Sequence, residues 1–183
     1  SPTRPDYLAQ FARVLAGARA TREALEASRH AVALGPSDPV TLDTLGVVFS
    51  QCNAYADAAE MFAKAVQLQP RAANMRFNLA TALMFVGDLD GAEREYEACL
   101  ALDPRYWKAH LALSQLRRQQ PGSNHIERLQ ALLATADGAA GRLYINLALE
   151  KELSDLGEHA RSLKHLRAGK AAWRQTLDYD IGR

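Results

Sequence analysis

The sequence predicts an all-α fold, a right-handed superhelical solenoid of stacked helical hairpins, and three observations carry that reading. Pro36, Pro70 and Pro104 recur every 34 residues. The residues before them agree, reading Ala33-Leu34-Gly35, Gln67-Leu68-Gln69 and Ala101-Leu102-Asp103, with helix-stopping proline just past each helix's apolar run. In the same frame small residues recur at Ala24, Ala58 and Ala92 and at Ala12, Gly46 and Ala80, as two closely approaching helices require. Large apolar residues recur at Phe11, Leu45 and Leu79 and again at Leu15, Phe49 and Leu83. An amphipathic hairpin cannot cover its own apolar face, so neighbours must stack and bury a continuous core.

A helix-turn-helix unit of this period, with large, small, aromatic and proline residues so placed, resembles the tetratricopeptide repeat. Residues 1–4 read as a remnant or a disordered lead-in. Repeat one spans 5–38; there Ser28 stands where Phe62 and Tyr96 recur, and Arg19 replaces the family's turn glycine. Repeats two (39–72) and three (73–106) match throughout. A divergent fourth, 107–142, opens at Trp107, turns through Gln120-Pro121-Gly122-Ser123, has Ile126 in a small-residue place and is interrupted by Asp137-Gly138-Ala139-Ala140-Gly141. Repeat five and a capping helix occupy 143–176: Leu149, Leu153 and Gly157 return about two residues late, with Ser162 as the small packing residue and Glu150 where glycine or alanine is usual. Residues 177–183 read as a tail or linker to a further domain. About five repeats predict about ten or eleven helices and no strands.

Composition narrows the function classes. The formal charge is +1, from 22 basic and 21 acidic residues, which lacks the bias that nucleic acid or anionic lipid demands. Cys52 and Cys99 form no CxxC and are too few to staple a fold, so a reduced, cytoplasmic protein is expected. Apolar runs such as Leu45 to Phe49 fall far short of the roughly 20 residues that span a bilayer.

Catalytic motifs do not emerge. Ala168-Gly169-Lys170 ends like a phosphate loop, but Lys164 sits at the earlier glycine's place and Ala171 follows. His159 and His165 lie six apart, on different faces of a helix, so no metal site is expected. Glu93, Glu95 and Glu97 scatter around a helix surface and do not pair as acid and base. There is no Gly-x-Ser-x-Gly elbow, and neither cysteine has a local histidine. No catalytic residue and no cofactor are therefore expected in this chain.

The family resemblance implies a concave face lined by each repeat's first helix. Mapped here, the candidate peptide groove is Asp43, Thr44 and Val47, then Asn74, Phe77, Asn78 and Thr81, then Lys108 and Gln115, then Lys151. Asparagine can satisfy both the donor and the acceptor of an extended peptide backbone, so the groove centres on Asn74, Asn78 and Lys108. The alternative is that these are ordinary surface residues. Some tetratricopeptide proteins grip the carboxylate of chaperone tails. Asn78 and Lys108 fit that frame, but Asp43, Val47 and Ala112 replace its first lysine, first asparagine and arginine, and Asp43 repels a carboxylate.

The end of the chain places Leu163, Leu166, Trp173 and Leu177 on one stripe, with Arg161, Lys164, Arg167, Lys170 and Arg174 opposite. A terminal cap should turn polar, yet Trp173, Leu177, Tyr179 and Ile181 stay apolar, which makes Leu166, Trp173, Leu177 and Tyr179 a candidate docking surface, for another domain or for a second copy in a homodimer. The stretches His125 to Ala134, Leu153 to Gly157, His165 to Gly169 and Thr176 to Asp180 resemble bacterial tetratricopeptide proteins with a C-terminal sulfotransferase domain. That resemblance implies a non-catalytic N-terminal region whose 3′-phosphoadenosine-5′-phosphosulfate site would lie in the downstream domain. A stand-alone adaptor is the alternative.

Overall fold

In the computed structural model, which describes residues 4–174, ten α-helices follow one another in two units, the first ending at Leu102 and the second beginning at Asp103. The first unit holds α1 (Pro5–Gly17), α2 (Thr21–Ala33), α3 (Pro39–Gln51), α4 (Tyr55–Leu68), α5 (Ala73–Val86) and α6 (Leu89–Leu102). Proline opens α1 and α3, where its missing N–H has no intrahelical partner to lose. The Asp38 carboxylate then caps α3 by accepting from Thr41 N at 2.8 Å.

The three hairpins turn at Arg19, Asn53 and Gly87, again 34 residues apart, with φ of 61°, 60° and 89°. This left-handed conformation is free for glycine and tolerable for asparagine, but strained for arginine. Thus Arg19, a departure from the repeat pattern, keeps the turn geometry at an energetic cost.

α1 pairs with α2, α3 with α4 and α5 with α6, while α3 also packs on α1 and α5 on α4. Leu42, Leu45, Phe49, Met61, Phe62 and Leu79 form the buried core. A methyl group on Gly46 would lie 2.5 Å from the Phe62 ring, so glycine is what lets α3 and α4 approach around a full-sized aromatic. Ser28, buried at the place taken by Phe62 and Tyr96 in the next repeats, leaves its hydroxyl without a partner among the described residues.

The second unit holds α7 (Trp107–Leu116), α8 (Ile126–Thr135), α9 (Gly138–Asp155) and α10 (His159–Arg174). α7, α8 and α10 all pack on α9, which therefore buries residues around much of its circumference, Ile145, Ala148, Leu149 and Leu153 among them. The segment Asp137 to Gly141, a break in the 34-residue period, is structurally the start of α9. Gly138 supplies φ of 72°, and Gly141 brings the helix against Trp107, where a methyl group would meet the indole at 3.0 Å.

Candidate functional site

The first unit's part of the predicted groove lies on α3 and α5. Periodicities of three and four place Asp43, Thr44 and Val47 on one face of α3, and Asn74, Phe77, Asn78 and Thr81 on one face of α5. The two faces are tied by Asn78 Nδ2, which donates to Asp43 Oδ1 at 3.0 Å. That carboxylate is half-buried, and burial pushes its pKa above the ordinary 3.8 despite the opposing hydrogen bond from Asn78. Among the described residues no ion pair reaches Asp43, although an ionised carboxylate offers about four acceptor positions. Exposed Asn74 and half-buried Thr44 and Val47 flank it.

Thr81 and Phe77 make contacts inside the unit. The Thr81 hydroxyl sits 2.9 Å from the Phe77 carbonyl and 3.1 Å from the Tyr96 hydroxyl, and the Phe77 ring tilts against Tyr96 at 5.6 Å. Arg76 on the same helix is held by Glu95 at 2.7 Å and by the Pro70 carbonyl.

Lys108, Gln115 and Lys151 belong to the second unit. Lys108 and Gln115 are exposed on α7. The Lys151 ammonium is engaged inside the unit. It donates to the carbonyls of Ser114 and Arg117, both at 3.2 Å, and to Asp155 Oδ2. A lysine one helix away from carbonyls left open at the end of α7 satisfies them.

Beside it stands a group that sequence reasoning missed. Glu152 is fully buried. Its Oε1 accepts from Ser114 Oγ at 2.7 Å and lies 2.8 Å from His125 Nδ1, and its Oε2 accepts from His125 N at 2.7 Å. Burial pushes this carboxyl up, but the donors from His125 and Ser114 together outweigh it and hold the pKa below the ordinary 4.5. The neighbouring Asp155 is likewise held low: desolvation raises it, and the donors from Lys151 and Gln119 N more than compensate. Serine and histidine both address the carboxylate, so the histidine does not stand between hydroxyl and carboxylate as it does in a serine–histidine–carboxylate relay. The arrangement instead ties segment 117–125 to α9. Its signal was present in the heptad-like run Ile145, Leu149, Glu152, Leu153, which puts a carboxylate on an apolar face.

On α10, Ser162 and Gly169 are buried against α9, with Leu166 half-buried, while Leu163 and Trp173 are exposed. The packing seam therefore follows small residues, and Leu163 and Trp173 of the predicted stripe lie outside it; Leu177 and Tyr179 lie outside the described residues. A cleft of about 350 Å³ between α8, α9 and α10 is lined by Ala136, Arg142, Asn146, Ala168 and Ala172. Asn146 is already paired with the Arg142 carbonyl and with His165 Nδ1. Among the described residues no three of histidine, cysteine, aspartate and glutamate gather as a metal cage, and no helix is long and apolar enough to cross a membrane.

Comparison with known proteins agrees with the fold. Residues 73–106 match the family model for the tetratricopeptide repeat. Anaphase-promoting complex subunit 3 of Schizosaccharomyces pombe is 23% identical over 142 residues, 74% of this chain; the chain spans 21% of that relative's length. Among solved structures, the nearly identical TPR-like repeats of a candidate kinesin light chain from Podosopora anserina superpose with a TM-score of 0.76 at 18% identity, covering 96% of this chain and 97% of that one. The first TPR domain of Spaghetti, bound to the HSP90 peptide SRMEEVD, gives 0.55 at 18% identity over 63% of this chain and 92% of its own.

Proposed function

Because the chain carries tetratricopeptide repeats, we propose that it is a peptide-binding interaction module whose site is the α3–α5 face around Asp43 and Asn78. The observation that carries this is the half-buried Asp43 carboxylate, held by Asn78 and given no cation among the described residues. Partly desolvating a charge without compensation destabilises a fold, so such a group is retained where a ligand supplies the missing donors. Spaghetti's complex with an HSP90 peptide supports a peptide ligand for a face of this kind. Its acidic tail does not suit this one, because Asp43 would oppose it. The ligand here is an extended segment presenting backbone N–H groups or a lysine or arginine to Asp43, with the exposed Asn74 amide reading backbone alongside.

The test titrates two synthetic heptapeptides, one lysine-rich and one glutamate-rich, while the side-chain amide signals of Asn74 and Asn78 are followed by NMR. Shifts with the basic peptide alone, abolished by Asp43→Asn, support the reading. Equal response to both peptides, or none, overturns it.

The finer context, a bacterial sulfotransferase whose catalytic domain and sulfate-donor cofactor lie downstream, rests on the resemblance in residues 120–183. It is tested by sequencing the reading frame past Arg183 for a strand, a phosphate-binding loop and a helix. A stop codon there favours the adaptor. In either case the α10 surface at Leu163 and Trp173 is where a further domain or a second copy would dock, and tryptophan fluorescence quenching of the chain alone against the longer protein reports it.

A further inference from the structure

The first repeat differs from the next two in one respect that the 34-residue register makes measurable. Tyr7, Phe11 and Val14 on α1 are 54%, 56% and 67% exposed. Their equivalents, Thr41, Leu45 and Val48 on α3 and Met75, Leu79 and Ala82 on α5, are all at most 6% exposed. In those two repeats the face is covered by the hairpin before it. Leu45 packs in a cluster with Ala9 and Ala31, and Val48 in one with Ala12 and Ala24, so the cover is the small-residue surface of α1 and α2. The face of α5 meets Met61, Phe62 and Ala65 of α4 in the same way. On α1 the same three positions stay large and apolar, which solvent does not favour. The Arg4 guanidinium, 4.4 Å over the Tyr7 ring, covers only the start of the stripe.

We propose that the α1 face bearing Tyr7, Phe11 and Val14 is a docking surface for one further helical hairpin of this chain's own repeat type. The occupant follows from continuity with the two interfaces inside the unit. It presents small residues in the pattern of Ala12, Ala24 and Ala31, which cover the α3 face. The inference is independent of the peptide groove, since Asp43 and Asn78 lie on a different face.

The test duplicates residues 5–38 between Arg4 and Pro5 of the full chain. This 34-residue insertion keeps the register and places an Asp38 before Pro5, as Asp38 precedes Pro39. The added residues are expected to gain the parent's helical circular dichroism per residue, the melting temperature to rise by several degrees, and amide exchange over residues 7–14 to slow by about tenfold or more. Phe11→Asp with Val14→Asp is expected to leave the parent's melting temperature within about 2 °C, because both side chains are exposed, and to abolish the gain. The proposal is overturned if the added copy stays non-helical, or if the double substitution destabilises the parent. It is also overturned if sedimentation shows the parent pairing with itself through this face, which would make a second copy the occupant.

Discussion

Replacing Glu152 by alanine is the sharpest test of how the second unit is held. The substitution removes the acceptor for Ser114 Oγ, His125 N and His125 Nδ1, each within 2.8 Å. A buried donor left unsatisfied costs about 1–3 kcal/mol, and two of the three, Ser114 Oγ and His125 N, cannot turn to water without moving the chain. Against this, the variant no longer desolvates a charge. Two stranded donors together cost about 2–6 kcal/mol before that relief is subtracted. At about 2–4 °C per kcal/mol for a chain of this size, melting should fall by roughly 4–20 °C. Glu152→Gln keeps one acceptor oxygen but turns an N–H₂ toward a donor, so it should fall in between. Circular dichroism gives the melting curve, and hydrogen exchange locates the effect, which must appear first in residues 119–126. A Glu152→Ala chain that melts within about 2 °C of the parent, with unchanged exchange in that segment, would refute the reasoning.

Four further outcomes follow from the same geometry. Arg19→Gly relieves a left-handed arginine and should stabilise by about 0.5–1 kcal/mol in chemical denaturation, the gain being limited by glycine's greater freedom in the unfolded chain. Gly46→Ala forces a methyl group into the Phe62 ring and should cost about 1–3 kcal/mol, with most of the loss recovered by Phe62→Leu in the same chain. Glu152 and Asp155 both titrate below their ordinary 4.5 and 3.8, so the unfolded chain takes up their protons first as pH falls; stability present above about 4.5 is lost on further acidification, and Glu152→Gln should flatten that slope. Asp43 has the opposite sign: its raised pKa favours the fold below the ordinary 3.8 and opposes it as pH rises, so Asp43→Asn should leave melting at pH 7 unchanged or slightly higher while peptide binding is lost.

The parts of this molecule that were legible in the sequence share one cause. A period of 34 reports which faces of which helices must be covered, because stacking repeats put the same demand on the same positions. Hence Leu45 and Leu79, Ala58 and Ala92, and Phe62 and Tyr96 were placed correctly in the core without any knowledge of their neighbours. Pairwise chemistry across a junction carries no such period. Lys151 has the register of a groove residue, and no period announces that it also closes on carbonyls of α7, which become available only because that helix ends at Leu116. Glu152 escaped notice because its donors come from Ser114 and His125, about forty and thirty residues away, in the one segment where the repeat lapses.

Phe11 shows the limit of the periodic argument itself. It occupies the register position of Leu45 and Leu79 and was therefore expected to behave as they do, but it is exposed. Periodicity specifies that a face needs a cover and leaves open whether the cover is present. The difference between Phe11 and Leu45 thus reports a face without a cover among the described residues, at a position the repeat reads correctly. If Phe11 were merely a tolerated surface aromatic, Tyr7 and Val14 would have no reason to accompany it at the spacing of one helix face, each large where the buried equivalents are large or small. Three residues on one stripe, all exposed and all aligned with buried positions in both following repeats, are better explained by one docking face than by three independent accidents.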